Sequence, residues 1–356
     1  MGLQSQGQPD ERAPERVLQL GHRPLRRSGH DRRRPRGLRA GRAWAAHRRR
    51  LPRLHVHQRR AFLGRGEPGL LQGHGGREAS GGSAGPAKMT TAEAACAEDL
   101  VEVAGVRIQL RRGGSGAPLL ILHSELGVPG WLRAYEQLAR HFTVYVPSLP
   151  GFGQSARPDW IVSVRDLAAW VTWFVRDLKL SLPLPAIGFS LGGWVAAEIA
   201  TMNAQVFTKM VLVGAAGLPP AEGHVWDYFI HSHQEALTQA FYDPATAPEY
   251  AQYFGRAWRP EDERQAEQNR EMAARLLWKP YMRSHTLAAL LRGVATPTLV
   301  IWGREDAIIP LDACQRYQHA IPGATAKVLE RCGHLPEMEQ PSAFVKMVLD
   351  FLAPGT

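Results

Sequence analysis

The segment Gly188-Phe189-Ser190-Leu191-Gly192 constrains the fold of this chain more than any other feature. The apolar residues before it predict a buried strand over 184–189, and the residues after it predict a helix over 194–202. A turn from strand to helix at one residue strains that residue, and flanking glycines leave room because they carry no Cβ. The pattern is typical of a nucleophile elbow, which holds the serine hydroxyl at the tip of the turn. By itself, the pentapeptide fits a glycine-rich connection with an incidental serine equally well.

Apolar runs alternate with helical patterns along most of the remaining chain. The runs predict strands at 118–122, 142–146, 184–189, 210–214, 297–302 and 326–329. Before them, two short strands are expected at 101–103 and 106–112, joined by a turn at Ala104-Gly105. A helix is expected over 163–178 with Ser163 as its N-cap. This alternation predicts the α/β class, with a mostly parallel central sheet and helices on both faces. Ligands of such sheets bind beyond the carboxyl ends of the strands. We therefore expect the functional residues in the loops that follow the strands.

The strand–helix rhythm stops between residues 218 and 291. This segment is rich in helix formers and aromatic residues, and it leaves the sheet at the end where Ser190 is expected. We predict that 218–291 forms a helical lid, with some of its aromatic side chains lining an apolar pocket. Residues 89–217 and 292–356 are then the α/β core.

Residues 1–88 differ from the rest in composition. They hold 20 Lys and Arg against 6 Asp and Glu, whereas the remaining residues hold 23 against 27. Dense charge without a helical or strand period predicts disorder. Three interpretations stay open for this leader: a basic arm that contacts nucleic acid, an organellar transit peptide, or translated GC-rich upstream DNA that is not native. In the last case Met89 is the natural start.

Several classes of protein are disfavoured by what the sequence lacks. Three cysteines form neither a disulfide framework nor a metal-ligand spacing, and no apolar run approaches the roughly 18 residues of a membrane span. There is no secretory signal, glycine-rich phosphate loop or dinucleotide fingerprint. We predict a cytoplasmic protein that needs no cofactor or metal and acts on a small molecule. Nucleic acid is not expected as a partner except through residues 1–88, and the oligomeric state stays open.

Two later residues are placed to activate the serine. A serine hydroxyl is a weak nucleophile that needs a general base, usually a histidine held by a carboxylate. Asp306 and His334 each follow a predicted strand closely, so both belong at the sheet edge that carries Ser190. The chain order Ser, Asp, His is the one expected of this architecture. Three distant residues at one edge are a more specific indication than the pentapeptide.

With these motifs together, residues 101–353 resemble the α/β-hydrolase superfamily with a lid, and in particular its bacterial branch of carboxylesterases and meta-cleavage product hydrolases. The matching segments are Leu122-His123, Pro150–Ser155, Gly188–Gly193, Trp302–Asp306 and Gly333-His334. The resemblance implies Ser190 as the nucleophile, His334 as base and then acid, and Asp306 as the group that orients His334. His123 is interpreted as a structural loop histidine.

The resemblance also implies an oxyanion hole made of the backbone N–H groups of Leu191 and Glu125. The sequence departs from the family at this point, because Ser124 stands where a glycine is usual. Glu125 also brings a carboxyl group to a site that must hold negative charge. An ionised Glu125 would oppose the oxyanion, whereas a protonated one would donate to it. Both alternatives stay open.

The function predicted first is a serine hydrolase that cleaves carboxylic esters with an apolar acyl or aryl group through an acyl-enzyme. The alternative is a C–C bond hydrolase of the meta-cleavage type, acting on a vinylogous 1,5-diketone. By resemblance, that branch usually carries Asn before the nucleophile and Trp after the catalytic histidine. Phe189 and Leu335 occupy those places here and favour the ester. A ligand receptor without catalysis is a third possibility, which the complete Ser, Asp and His set disfavours.

Overall fold

A computed structural model of the protein describes residues 96–353, and the leader predicted at 1–88 lies outside this range. Within it, eight strands form one sheet in the order β1-β2-β4-β3-β5-β6-β7-β8. The strands are β1 (Cys96–Val103), β2 (Val106–Gly113), β3 (Pro118–Leu122), β4 (Thr143–Pro147), β5 (Leu184–Phe189), β6 (Phe207–Val213), β7 (Thr298–Gly303) and β8 (Thr325–Leu329). Strand β2 is antiparallel to β1 and β4, and all other neighbours are parallel. The predicted, mostly parallel sheet is confirmed.

Ten α-helices and one 3-10 turn accompany the strands in the described range. They are α1 (Arg133–Ala139), α2 (Val164–Asp177), α3 (Leu191–Met202), α4 (His233–Ala240), α5 (Tyr250–Tyr253), α6 (Pro260–Leu277), α7 (Leu287–Leu290), the 3-10 turn Leu291–Gly293, α8 (Asp312–Ala320), α9 (Pro336–Glu339) and α10 (Pro341–Leu352). The predicted N-cap of α2 is confirmed, since Ser163 Oγ accepts from the Asp166 N–H at 3.2 Å.

The first strand is longer than its pattern predicts. The turn at Ala104 and Gly105 has positive φ at both residues (50° and 74°), as a type I′ hairpin requires. Pairing continues from Val103 opposite Val106 back to Cys96 opposite Gly113. Residues 96–100 are exposed, so no buried apolar period marks this part of the strand. Pairing with β2 therefore extends β1 five residues before the predicted start.

The order of the strands places a crevice next to Ser190. Helix α1 leads from β3 to its neighbour β4 on one side, whereas α3 leads from β5 to β6 in the opposite direction. Because parallel crossovers are right-handed, the two helices cover opposite faces of the sheet. The direction of winding reverses between β3 and β5, and this is where ligands bind in such sheets. The loops that follow these two strands hold Glu125 and Ser190.

The insert, defined here as residues 218–291, reaches the loops at the carboxyl ends of the strands. Ala240 O accepts from the His334 N–H at 2.7 Å. Further along, Asn269 binds two loops at once: its Nδ2 donates to Leu126 O and its Oδ1 accepts from the Gly153 N–H, both at 3.0 Å. The insert thus packs on the loops around Ser190. Its function as a lid stays a prediction.

None of the helices in residues 96–353 combines the length and the apolar character that crossing a bilayer requires. In the same range, His, Cys, Asp and Glu side chains do not gather in threes around a point that could hold a metal ion. Cys314 and Cys332 are buried free thiols, and Cys96 is an exposed one. The predicted location and independence from cofactors stay predictions.

Candidate active site

Ser190 is the single residue between strand β5 and helix α3. Its backbone has φ 44° and ψ −107°, a conformation that side-chain-bearing residues rarely adopt. The turn is possible because the backbones around it are very close: a Cβ on Gly192 would overlap the Leu122 carbonyl. The Ser190 N–H donates to Val213 O at 2.9 Å and so ties the turn to β6. Helix α3 begins at Leu191 rather than at the predicted residue 194, directly after the serine.

Asp306 and His334 form a buried hydrogen-bonded pair. His334 Nδ1 donates to Asp306 Oδ2 at 2.8 Å. Oδ1 of the same aspartate accepts from the backbone N–H groups of Ile308 and Ile309, each at 2.9 Å. Both carboxylate oxygens are thereby held, and the imidazole is left with Nδ1 protonated and Nε2 free to accept a proton.

Ser190 and His334 meet at the end of strand β6. The serine N–H is bonded to Val213, the last residue of β6, and the imidazole packs on Gly214, where a Cβ would lie 3.0 Å from His334 Cε1. Ser190 Oγ and His334 Nε2 are both buried, and neither has a hydrogen-bond partner among residues 96–353. Hydrogen bonds of this kind are often long in unliganded enzymes and tighten when substrate binds. The structure therefore places all three predicted residues around the end of β6, with Asp306 and His334 bonded to each other and Ser190 not bonded to His334.

The surrounding charges keep the imidazole basic. Burial lowers the pKa of His334, but the charge of Asp306, the hydrogen bond to it and the charges of Glu125 and Glu337 raise it, and the net pKa lies above the ordinary value. Any change that removes one of these negative charges favours the neutral ring. The protonation of Glu337 is thus coupled to the basicity of His334.

Two backbone N–H groups are available beside the serine for an oxyanion hole. Within residues 96–353, neither the Leu191 N–H nor the Glu125 N–H donates to a protein acceptor. The loop that carries Glu125 is fixed by His123, whose Nδ1 donates to Ser124 O at 2.6 Å and whose Nε2 accepts from the Leu149 N–H at 2.9 Å. Burial lowers the pKa of His123 to about 4, so its ring is neutral. The interpretation of His123 as a structural histidine is confirmed.

The Glu125 side chain is buried among titratable groups of the insert. It is 2% exposed, and its Oε2 lacks a hydrogen-bond partner among the described residues. Burial raises the pKa of the Tyr228 hydroxyl, and the charge of Glu125 raises it further. Burial and nearby charges, that of Glu125 included, also raise the pKa of the Tyr281 hydroxyl, which bonds Trp226 O at 2.6 Å. Glu125 therefore lies between His334 and the aromatic side chains of the insert.

A small cavity adjoins the nucleophile turn, and sequence reasoning missed one of its polar residues. The cavity has a volume of about 20 Å³, and its wall includes Phe189, Leu335, Tyr135 and Glu337. Glu337 lies in α9, the one-turn helix that directly follows the His334 loop. An acid three residues after the predicted base was visible in the sequence, but nothing there showed that it is buried.

A larger pocket of about 370 Å³ lies next to this cavity. Leu126, Pro129 and Phe254 contribute to the walls of both. The larger pocket also has polar walls, including Arg111 from β2 and Asn269 from α6. Phe254, from the insert, thus stands between a roomy polar pocket and the residues beside Ser190.

Comparison with known proteins gives the same architecture. A family model described as the alpha/beta hydrolase fold matches residues 117–341. The 2-hydroxymuconate semialdehyde hydrolase of Pseudomonas sp. strain CF600 is 32% identical over 276 residues, 70% of this chain and 92% of that protein. The 2-hydroxy-6-oxo-2,4-heptadienoate hydrolase of Pseudomonas putida is 28% identical over 279 residues, 71% and 95%. Among solved structures, a bacterial membrane phospholipase A shares the fold with a TM-score of 0.63, 23% identity, and coverage of 72% of this chain and 86% of its own.

These comparisons bear on the predicted chemistry. The names of the two relatives match the predicted alternative better than the ester hydrolase that was predicted first. Cleavage of esters is therefore not confirmed. A structural likeness at 23% identity supports the fold alone.

Proposed function

The chain belongs to the α/β-hydrolase family and is a hydrolase, and from this premise we propose that it uses Ser190, His334 and Asp306 to cleave a carbon–carbon bond next to a ketone in a conjugated oxo-dienoate. The observation that carries the proposal is the buried Asp306–His334 pair, bonded at 2.8 Å, beside a serine hydroxyl on a strained turn. A serine hydroxyl needs a histidine base held by a carboxylate to lose its proton, and this pair supports that assignment.

The first half of the reaction forms an acyl-enzyme. Nε2 of His334 takes the Ser190 proton as Oγ attacks the ketone carbon, and Asp306 stabilises the resulting imidazolium. The carbonyl oxygen becomes an oxyanion facing the N–H groups of Leu191 and Glu125. Before this attack, the 2-hydroxyl proton of the dienoate moves to the carbon beside the ketone, so that this carbon is saturated. Collapse of the oxyanion then breaks the bond to that carbon, and the released electron pair spreads over the unsaturated 2-oxo acid as a dienolate. His334 gives its proton to the dienolate oxygen, and the 2-hydroxydienoate leaves as the first product.

The second half hydrolyses the ester formed on Ser190. His334, neutral again, takes a proton from water, and the hydroxide attacks the acyl carbon. Ser190 recovers its proton as the carboxylic acid departs. The same three residues thus act twice.

The choice of a C–C bond rests on the relatives. A 2-hydroxy-6-oxo-2,4-heptadienoate has a hydroxyl, a ketone and a carboxylate but no ester or amide bond. A hydrolase that acts on such a compound must therefore break a carbon–carbon bond beside the ketone. Relatives at 28% and 32% identity that are named for oxo-dienoate and semialdehyde substrates support the same class of substrate here.

Ester cleavage is the second candidate, favoured by two apolar side chains. Phe189 and Leu335 line the cavity beside Ser190, where the meta-cleavage branch usually carries Asn and Trp. Apolar walls suit a plain acyl chain better than a polar dienoate. Formation and hydrolysis of the acyl-enzyme would proceed by the same residues, with an alcohol as the leaving group.

Turnover of 2-hydroxy-6-oxo-2,4-heptadienoate and of p-nitrophenyl butyrate by the full chain tests the proposal. We expect loss of the dienoate absorbance with a higher kcat/KM than for the ester, and loss of both activities in Ser190→Ala. A protein that cleaves only the ester contradicts the C–C proposal. Turnover that survives in Ser190→Ala contradicts the assigned nucleophile.

A further inference from the structure

Glu337 is a buried acid that the proposed mechanism does not use. Its side chain is 4% exposed, and its Oε2 is unpartnered within residues 96–353. It lines the cavity of about 20 Å³ that Phe189 and Leu335, the neighbours of Ser190 and His334, also line. A cavity of this volume takes one water-sized group, such as a single carbonyl or hydroxyl oxygen. A buried polar atom without a protein partner at such a cavity can bond a ligand atom that enters it.

The environment determines which proton state Glu337 presents. Burial raises the pKa of Glu337 to about 8, although its own backbone N–H and the charge of His334 lower it. The carboxyl group is therefore mostly neutral at pH 7 and carries an O–H donor. Burial together with the charges of Glu337 and Glu249 raises the pKa of Tyr135, which lines the same cavity, so that hydroxyl is neutral as well. The polar end of the cavity offers donors to an oxygen acceptor.

We propose that Glu337 is a specificity-determining residue, which donates a hydrogen bond to a second oxygen of the substrate, beyond the carbonyl that Ser190 attacks. The proposal rests on the function proposed above for Ser190. It deepens that function by selecting, among oxo-dienoates and esters, those whose acyl part, on the far side of the attacked carbonyl from the leaving group, carries an additional ketone or hydroxyl instead of a plain hydrocarbon chain. Because neutral Glu337 adds no negative charge beside His334, the same proton also favours the neutral imidazole that must accept the serine proton.

The groups around Glu337 come from several parts of the molecule, and Glu337 is the acid among them that lines the cavity. Burial also raises the pKa of its neighbour Glu339, to about 7, so both acids titrate near neutral pH. The titratable and charged groups that face Glu337 are Tyr135 of α1, His123 after β3, Glu249 of the insert, Cys332 and His334 after β8, and Glu339 of α9. The two other acids are each held by a backbone donor at 2.8 Å. Glu249 accepts from the Arg133 N–H, and Glu339 accepts from the Gly333 N–H in the His334 loop.

The test compares matched esters: p-nitrophenyl 4-oxopentanoate with the pentanoate, and p-nitrophenyl 5-oxohexanoate with the hexanoate. The measured quantity is the ratio of kcat/KM, oxo ester over plain ester. In the wild-type protein at pH 7 we expect a ratio of about 10 for at least one pair, from one hydrogen bond to a buried donor. Glu337→Leu should bring the ratio to about 1, whereas Glu337→Gln, which keeps a neutral donor, should retain it. Glu198→Gln is the control and should leave the ratio as it is, because Glu198 is a buried acid of α3 that accepts from Trp194 Nε1 at 3.1 Å and does not line the cavity.

A pH profile separates a donor from a residue that only packs. The wild-type ratio should fall as pH rises from about 7 to about 9 and Glu337 ionises, and the ratio of Glu337→Gln should stay flat. A wild-type ratio of 1, a ratio that survives in Glu337→Leu, or parallel pH profiles in the wild type and Glu337→Gln would overturn the proposal. If Glu337→Leu does not fold, the two pH profiles decide.

Failure of the proposed function gives a different result. Absence of dienoate turnover contradicts C–C cleavage but leaves the ester ratio measurable. If neither substrate turns over, binding of methyl 4-oxopentanoate and methyl pentanoate to Ser190→Ala, measured by calorimetry, gives the ratio without chemistry. Preferential binding of the oxo compound that Glu337→Leu abolishes supports the proposal, and equal binding overturns it.

Discussion

The two sides of the site differ in how completely their buried carboxyl groups are bonded. On the His334 side, both oxygens of Asp306 accept hydrogen bonds, at 2.8 and 2.9 Å. On the Glu337 side, Glu337 and Glu125 are as deeply buried, yet one oxygen of each lacks a partner in the described residues. A carboxylate held at every oxygen has one orientation and suits a group that positions another. An acid with a free oxygen retains bonding capacity that a ligand can use.

Loss of the Ser190 hydroxyl should have the largest effect, because both sides of the site serve this one atom. We expect Ser190→Ala to lower kcat by roughly 10⁶-fold if the three residues act as a unit. Steady-state kinetics on the dienoate and on p-nitrophenyl butyrate measure it. Ser148→Ala is the matched control, since its buried hydroxyl bonds Gln109 at 3.0 Å, away from Ser190. A Ser190→Ala protein that keeps most of its turnover would show that neither side serves this hydroxyl.

Asp306→Asn tests the His334 side of the site alone. The amide oxygen can keep the bonds from Ile308 and Ile309, so the NH₂ group then faces His334 Nδ1. The imidazole must accept at Nδ1, its proton moves to Nε2, and Nε2 can no longer take the serine proton. We expect kcat to fall by about 10⁴-fold with the fold intact. Asp312→Asn is the control, and equal losses in both variants would argue against a specific role for Asp306.

The His334 side is the part of the site that could be predicted from the sequence. Ser190 and Asp306 each follow a strand whose apolar run is continuous, and His334 follows β8, whose run is interrupted by Lys327. Strand ends and chain order therefore locate all three. The same regularity predicted most of the sheet, including β5 at its observed bounds and the N-cap of α2. Asp312 lies in the first turn of α8, and its carboxylate also accepts from the Ala221 and Glu222 N–H groups of the insert. Contacts of this kind with a distant segment leave no periodic pattern in the sequence.

The Glu337 side of the site could not be predicted, because contacts between distant segments form it. Glu337 occupies a polar position in a four-residue helix, and its burial comes from groups on α1 and the insert. Phe254 was one of many aromatic residues in the insert, and only the three-dimensional packing places it between the two pockets. Tertiary contacts between segments far apart in the chain determine the environment of these residues.

Glu125→Gln tests whether the acids on the Glu337 side of the site influence the pKa of His334. The charge of Glu125 contributes to raising the pKa of His334, so its removal should lower that pKa. Since kcat/KM rises as the imidazole loses its proton, the acid limb of the pH profile should shift to lower pH. Glu102→Gln, an exposed acid on β1, is the control and should not move the limb. An unshifted limb in Glu125→Gln would mean that the two sides titrate independently.

Asn269→Ala should have the smallest effect and concerns stability. Asn269 links α6 of the insert to Leu126 and Gly153 through bonds of 3.0 Å, and its loss leaves the Gly153 N–H and the Leu126 carbonyl unpaired. We expect a loss of about 1–3 kcal/mol in the free energy of unfolding, measured by urea denaturation. Glu267→Ala, an exposed position on the same helix, should change the free energy of unfolding by less than about 0.5 kcal/mol.

Because Leu126 also lines the cavity beside Glu337, Asn269→Ala should weaken the oxo-ester preference while the Asp306–His334 hydrogen bond persists. Equal losses of ester and oxo-ester turnover would instead indicate that the insert supports both sides of the site alike.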